Sequence, residues 1–132
     1  MVISAGQRRN GMARGFTLVE LLVVLAIVAL LASIALPRYF GSLRTAREVA
    51  LQENLRVMRI SIDRFHADKG RFPENLDELV TQRYLRAVPP DPITESVQTW
   101  VQVPMQGDGQ GIADVRSGAP GTSGNGTAYA TY

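Results

Sequence analysis

From Phe16 to Leu36 the chain runs through 21 residues of which only Thr17, Glu20 and Ser33 are polar. From Pro37 onward, polar and charged residues return in the proportions of a water-soluble fold. A helix of that apolar length reaches about 32 Å at roughly 1.5 Å per residue, close to the hydrocarbon thickness of a bilayer. The pattern predicts one element that belongs in lipid, followed by a part that belongs in water. Pro37 removes one backbone hydrogen bond and presses on the preceding turn, so a kink is expected there rather than a full stop. Beyond it, Leu43, Ala46, Ala50, Leu51, Leu55, Met58, Ile62 and Phe65 recur at mostly three- and four-residue intervals, which lines them along one side of a helix. Arg44/Glu48, Glu53/Arg56, Arg59/Asp63 and Arg64/Asp68 stand at spacings that allow pairing within the helix. Val49, Val57 and Ile60 fall beside the stripe, where they either widen the core face or meet a neighbouring chain. Lys69-Gly70 supplies a basic last turn and a glycine stop. A helix from Phe16 to about Lys69 is roughly 80 Å long. That is more than a small domain can bury, so half of it is left for lipid or other chains to cover.

Further on, Asn75 with Glu78 three residues later reads as a capping pair that opens a short helix burying Leu76, Leu79 and Val80. Leu85, Val88 and the run Pro89-Pro90-Asp91-Pro92 form an extended loop, since proline excludes a helix. Val97 to Val103 alternates, with Val97, Thr99, Val101 and Val103 on one face and Gln98, Trp100 and Gln102 on the other, and predicts a strand. Turn residues fill Gln106 to Gly111, Ile112 to Arg116 offers a return strand, and Ser117 to Gly126 is a glycine-rich loop. Thr127 to Tyr132 is expected to add a last extended piece. The fold class is α+β: one long N-terminal helix, one short helix and a small antiparallel sheet packed on the long helix.

Composition changes this picture in one respect. Of the 14 basic residues, Arg8, Arg9 and Arg14 precede the apolar run, and setting them aside leaves 11 against 12 acidic ones. The net charge of +2 is thus concentrated in residues 1–15, which read as a leader that stays cytoplasmic and is removed. Little supports a nucleic-acid partner. The chain has no cysteine, hence no disulfide and no thiol chemistry. His66 stands alone and reads as a helix-surface residue, Trp100 reads as sheet packing, and no nucleophile–base pair or phosphate loop can be read.

The odd residue is Glu20, a carboxylate one turn into an apolar segment. An acid near a bilayer centre costs roughly 2.5–3.5 kcal/mol, somewhat less near an end, and such residues usually have a partner. Within one chain, the first-turn amides and the helix dipole favour an acid at this place. A cut after Gly15 would also create an α-amino group on Phe16, which a neighbour staggered by about one turn could present to Glu20.

Gly15-Phe16-Thr17-Leu18-Val19-Glu20-Leu21-Leu22 resembles the processing motif of type IV prepilins and type II secretion pseudopilins, with a basic leader before it and an apolar helix after it. The resemblance implies a pilin-like fold, cleavage between Gly15 and Phe16 by a prepilin peptidase, and methylation of the Phe16 amine. It also implies that Phe16 and Glu20 act in subunit assembly and that Pro37 marks a place where the helix loosens in the filament. Three parts follow: a leader at 1–15, a transmembrane and filament-core helix at 16–36, and a periplasmic globular domain at 37–132. The Lys69-Gly70-Arg71-Phe72-Pro73 turn, the short helix and the tail Ile112-Ala113-Asp114-Val115-Arg116-Ser117-Gly118-Ala119 are similar to those of major pseudopilins of type II secretion systems. That implies a structural rather than enzymatic role in a periplasmic pseudopilus driving protein export, with a type IV pilus subunit as the alternative. Implied partners are further copies of the chain, other pseudopilins, the peptidase, the inner-membrane assembly platform with its ATPase, and the bacterial inner membrane itself before assembly.

Major pseudopilins often bind calcium in the C-terminal loop. Asp108 and Asp114 are the only acids after Glu95, and Asn125 stands where a third carboxylate would be wanted, so no cofactor is expected and calcium is a weak candidate at those two residues. Two readings from other classes stay open. One is a secreted enzyme or binding domain with a cleavable signal ending near Ser33-Ile34-Ala35; the other is a single-pass membrane protein with no filament role. Glu20 counts against the first, because a signal peptide gains nothing from a carboxylate in its apolar stretch.

Overall fold

The computed structural model describes Val2, Gly6 and residues 15–132. The leader assigned to 1–15, with Arg8, Arg9 and Arg14, lies otherwise outside those described residues. The chain divides into two compact units, Met1–Arg38 and Tyr39–Tyr132. Helix α1 is Leu18–Lys69, with Pro37 inside it rather than at its end.

In the first unit, the apolar side chains of α1 are exposed, Leu18 at 78% and Leu30 at 65%, and only Ala32 is half-buried. α1 is the one helix among the described residues long and apolar enough to cross a membrane. The helix begins two residues after Phe16 because Thr17 takes the capping position, its carbonyl accepting the first helical bond from the Leu21 amide at 3.1 Å. Ser33 is no break in the apolar run, since its hydroxyl donates back to the Ala29 carbonyl at 2.8 Å.

In the second unit, Leu51, Leu55, Met58, Ile62 and Phe65 are fully buried and form the spine of the core. Leu43, Ala46 and Ala50, expected on the same stripe, are exposed. The turns before Leu51 are tied to the C-terminal loop by the polar side chains of Arg44 and Glu48 instead of lying under a second apolar layer. Val49 and Val57 are exposed and Ile60 is half-buried. α1 ends at Gly70, whose φ of +72° suits glycine. Helix α2, Leu76–Thr81, is capped as expected: Asn75 Oδ1 accepts from the Glu78 amide at 2.9 Å. α2 buries Leu76 and Leu79, with Val80 half-buried. Arg83 ends its last turn at φ +64°, a place usually held by glycine, while the Tyr84 amide closes back on the Leu79 carbonyl at 2.8 Å.

Strands β1, Trp100–Pro104, and β2, Ile112–Ser117, pair antiparallel, with Trp100 opposite Ser117 and Val101 opposite Arg116. β1 is shorter than the alternating run from Val97, and its buried face carries Trp100, while Val101 points outward. Burial of the indole is satisfied by its Nε1–H, which donates to the Pro89 carbonyl at 2.7 Å. The hairpin docks on the link between the helices, where the Ile112 amide donates to the Pro73 carbonyl at 2.8 Å. A Cβ on Gly111 would stand 2.7 Å from that carbonyl, so glycine is required. The extended piece expected at Thr127–Tyr132 is absent. Thr122 bridges to Ala128, and Tyr129–Thr131 then form a 3-10 turn.

Candidate functional site

At the start of α1, the side chains of Thr17 and Glu20 cap each other. The Glu20 amide donates to Thr17 Oγ1 at 3.1 Å, and the Thr17 amide donates to Glu20 Oε2 at 3.1 Å. This reciprocal arrangement satisfies two donors that a helix start leaves without partners. Glu20 therefore has a polar partner within its own chain, besides any that a neighbour or a new terminus provides. The signal was present as Thr17-x-x-Glu20, hidden because the residues around it are apolar. Phe16 is 89% exposed, and a Cβ built on Gly15 meets nothing within 4 Å.

The C-terminal segment, residues 114–132, with its glycine-rich loop, is held by α1 through two arginines. Arg59 Nε donates to Asp114 Oδ1 at 2.8 Å, and its Nη2 donates to the carbonyls of Val115 at 3.0 Å and Tyr132 at 2.8 Å. The helical pair expected with Asp63 does not form, because these long-range acceptors offer three contacts in place of one exposed pair. Arg44 pairs with Glu48 at 3.2 Å as expected, and also donates to the Thr122 carbonyl at 2.7 Å. Glu48 Oε1 further accepts from the Gly124 amide and the Tyr129 hydroxyl, each at 2.9 Å. The Tyr129 hydrogen bond, the Gly124 amide and Arg44 hold the Glu48 carboxyl below its ordinary range, while burial first and Glu48 second raise the Tyr129 phenol.

Further pairings run through the same unit. Glu53 pairs with Arg56 at 2.7 Å as expected. Asp68 accepts from the Tyr84 hydroxyl at 2.7 Å in place of the expected pair with Arg64. Asp91, fully buried, accepts from Ser117 Oγ at 2.5 Å and from the Ile93 amide at 2.8 Å. Its place in a proline run concealed this role.

Asp108 lies exposed between β1 and β2, whereas Asp114 is engaged by Arg59 and by the Val115 amide. Among the described residues, no three acidic, histidine or cysteine side chains gather as a metal site. His66 is exposed and stacks on Phe72, ring centres 4.1 Å apart. The structure thus brings Thr17 to Glu20, and Asp114 to Arg59, but does not bring Asp108 into either group.

Residues 10–36 match the family described as the prokaryotic N-terminal methylation motif. The chain is 32% identical to the type IV major pilin protein PilA of Myxococcus xanthus over 72 residues, 54% of this chain and 33% of that protein. It is 31% identical to competence protein ComGC of Halalkalibacterium halodurans, over 54% of this chain and 70% of that protein. Against the type II secretion system core protein G of Klebsiella pneumoniae it is 30% identical over 95 residues, 60% of this chain and 68% of that protein. The chain thus spans only a third of the Myxococcus pilin, but over two thirds of the other two. No solved structure matches it.

Proposed function

The chain belongs to the pilin-like family that carries the N-terminal methylation motif, and we propose that it is a pseudopilin, a filament subunit of a type II secretion system. In this reading a prepilin peptidase cuts between Gly15 and Phe16, the new amine is methylated, and subunits join a periplasmic pseudopilus that drives export across the outer membrane. The chain acts structurally and catalyses no reaction of its own. The observation that carries the reading is the exposed apolar start of α1, opened by a capped glutamate within the stretch that matches the methylation motif. An apolar surface of that size needs lipid before assembly and other copies after it.

Gly15 fits the same reading. Among the described residues nothing crowds a Cβ there, which suits a need for glycine set by an external agent such as a peptidase. Phe16 and Glu20 then act in assembly, Glu20 receiving the amine of a neighbouring Phe16. Pro37 marks a point where α1 loosens in the filament. Other pseudopilins and the inner-membrane platform with its ATPase are the remaining partners, and the globular unit stands in the periplasm.

A secretion role is preferred to a pilus because the match to core protein G covers 60% of this chain, against 54% for the Myxococcus pilin. A type IV pilus subunit is the alternative. Mass spectrometry of the mature protein tests the cleavage: a methylated Phe16 terminus is expected, and a start at Leu36 would sink the reading. Deleting the gene tests the choice, since loss of a secreted protein marks a pseudopilus and loss of surface fibres a pilus.

A further inference from the structure

Calcium is the metal that the resemblance implies for such a C-terminal loop, and it takes six to eight oxygens from carboxylates, carbonyls and water. The carboxylates of Asp114, Glu48 and Asp91 each already have donors. Asp114 Oδ1 and the carbonyls of Val115 and Tyr132 converge on the guanidinium of Arg59. Glu48 Oε1 and the Thr122 carbonyl converge on Arg44. Glu48 Oε1 carries three donors at once, from Arg44, Gly124 and Tyr129. Asn125 Oδ1, at the place of a third carboxylate, accepts from the Thr127 amide at 3.0 Å and from the Ser123 hydroxyl. Asp91 is occupied by Ser117 and Ile93. These residues do not fit a metal ion.

Each arginine collects a carboxylate and at least one carbonyl, the same oxygen types a hard cation selects. A guanidinium keeps its charge at any physiological pH and presents its donors in a rigid fork. Being covalently part of α1, it cannot diffuse away from the loop. We infer that Arg44 and Arg59 do for this loop what a bound divalent cation would do, so that the globular unit holds its fold with no metal.

The test uses the full chain in detergent micelles, melted in excess EDTA and in millimolar calcium chloride. The two midpoints should agree within about 1 °C. A site filled to about 100 times its dissociation constant would raise the midpoint on the order of 10 °C in a unit of this size, and such a rise overturns the proposal. Hydrogen exchange of peptides covering 114–132 supplies the second arm, read on Arg44→Gln and Arg59→Gln separately. Each is expected to exchange about tenfold faster in that segment, with the core around Leu55 and Ile62 still protected. Wild-type protection in the loop from both variants would equally overturn it. Should either variant fail to fold, the calcium comparison on the wild-type chain still decides.

Discussion

Thr17 and Glu20 hold each other at the start of α1, amide to carboxylate and amide to hydroxyl, both at 3.1 Å. The carboxylate is therefore not stranded in an apolar segment, because it satisfies a helix donor that lipid could not. An incoming amine from a neighbouring subunit would meet an acid already held in one orientation. Register, rather than raw stability, is what such a contact supplies.

Glu20→Ala should leave the melting of the globular unit within about 1 °C of wild type, since Glu20 lies outside that unit, and lower filament yield about tenfold, the factor carried by roughly 1.4 kcal/mol. Thr17→Ala removes a cap worth about 1 kcal/mol but keeps the carboxylate, so filament yield should fall by no more than a few-fold. Electron microscopy of assembled filaments reads both. Equal collapse in the two variants would assign the effect to the cap and remove the register role from Glu20.

Asp91→Ala leaves the buried Ser117 hydroxyl and Ile93 amide without their acceptor. The loss should cost about 2 kcal/mol, since an unpaired buried donor keeps its full desolvation penalty. For a unit of this size the melting midpoint should drop by roughly 10 °C. A shift under about 2 °C would show that water or a rearranged loop replaces the carboxylate.

Glu48 links stability to pH. Its carboxyl is held below the ordinary value by Tyr129, Gly124 and Arg44, so ionised Glu48 stabilises the folded state. That contribution is fully present above the unfolded-state value of about 4.3 and is lost as pH falls through the lower folded-state value. Thermal melts between neutral pH and pH 3 should therefore fall less steeply on the acid side for Glu48→Gln than for the wild type. Superimposable acid limbs would rule out the linkage.

Gly118 lies so close to the Thr99 carbonyl that a Cβ would overlap it, and backbone cannot step aside as a side chain end can. Gly118→Ala is expected to destabilise by about 1–3 kcal/mol through forced displacement at the start of β1. Gly124→Ala serves as the control, because its nearest neighbour would be Glu48 Oε2 at an ordinary 3.7 Å. Equal melting midpoints for the two variants would contradict the close approach.

Much of the architecture was legible because it rests on local rules. The apolar run, the Gly70 stop, the Asn75 cap and the pairs Arg44/Glu48 and Glu53/Arg56 depend on neighbours within about one helical turn. Arg59 and Asp68 departed from their expected helical partners because acceptors and donors far along the chain offered more contacts or a better-placed one. β1 was readable as an alternating run, yet alternation cannot tell which face is buried. That was decided by the indole reaching the Pro89 carbonyl.

Residue order alone determined that an apolar run opens at Phe16 with a glutamate four residues later, and that an amphipathic helix and a small sheet follow. Hydrophobic period and short-range chemistry suffice for that, since each feature is written into adjacent turns. Only the tertiary structure decided what holds the C-terminal loop. Thr122 lies 78 positions from Arg44, and Tyr132 lies 73 from Arg59, so no local pattern could bring them together. Folding the C-terminal segment back on α1 set two guanidiniums among those oxygens, and that packing decided that Asp114 finds its counter-charge in Arg59.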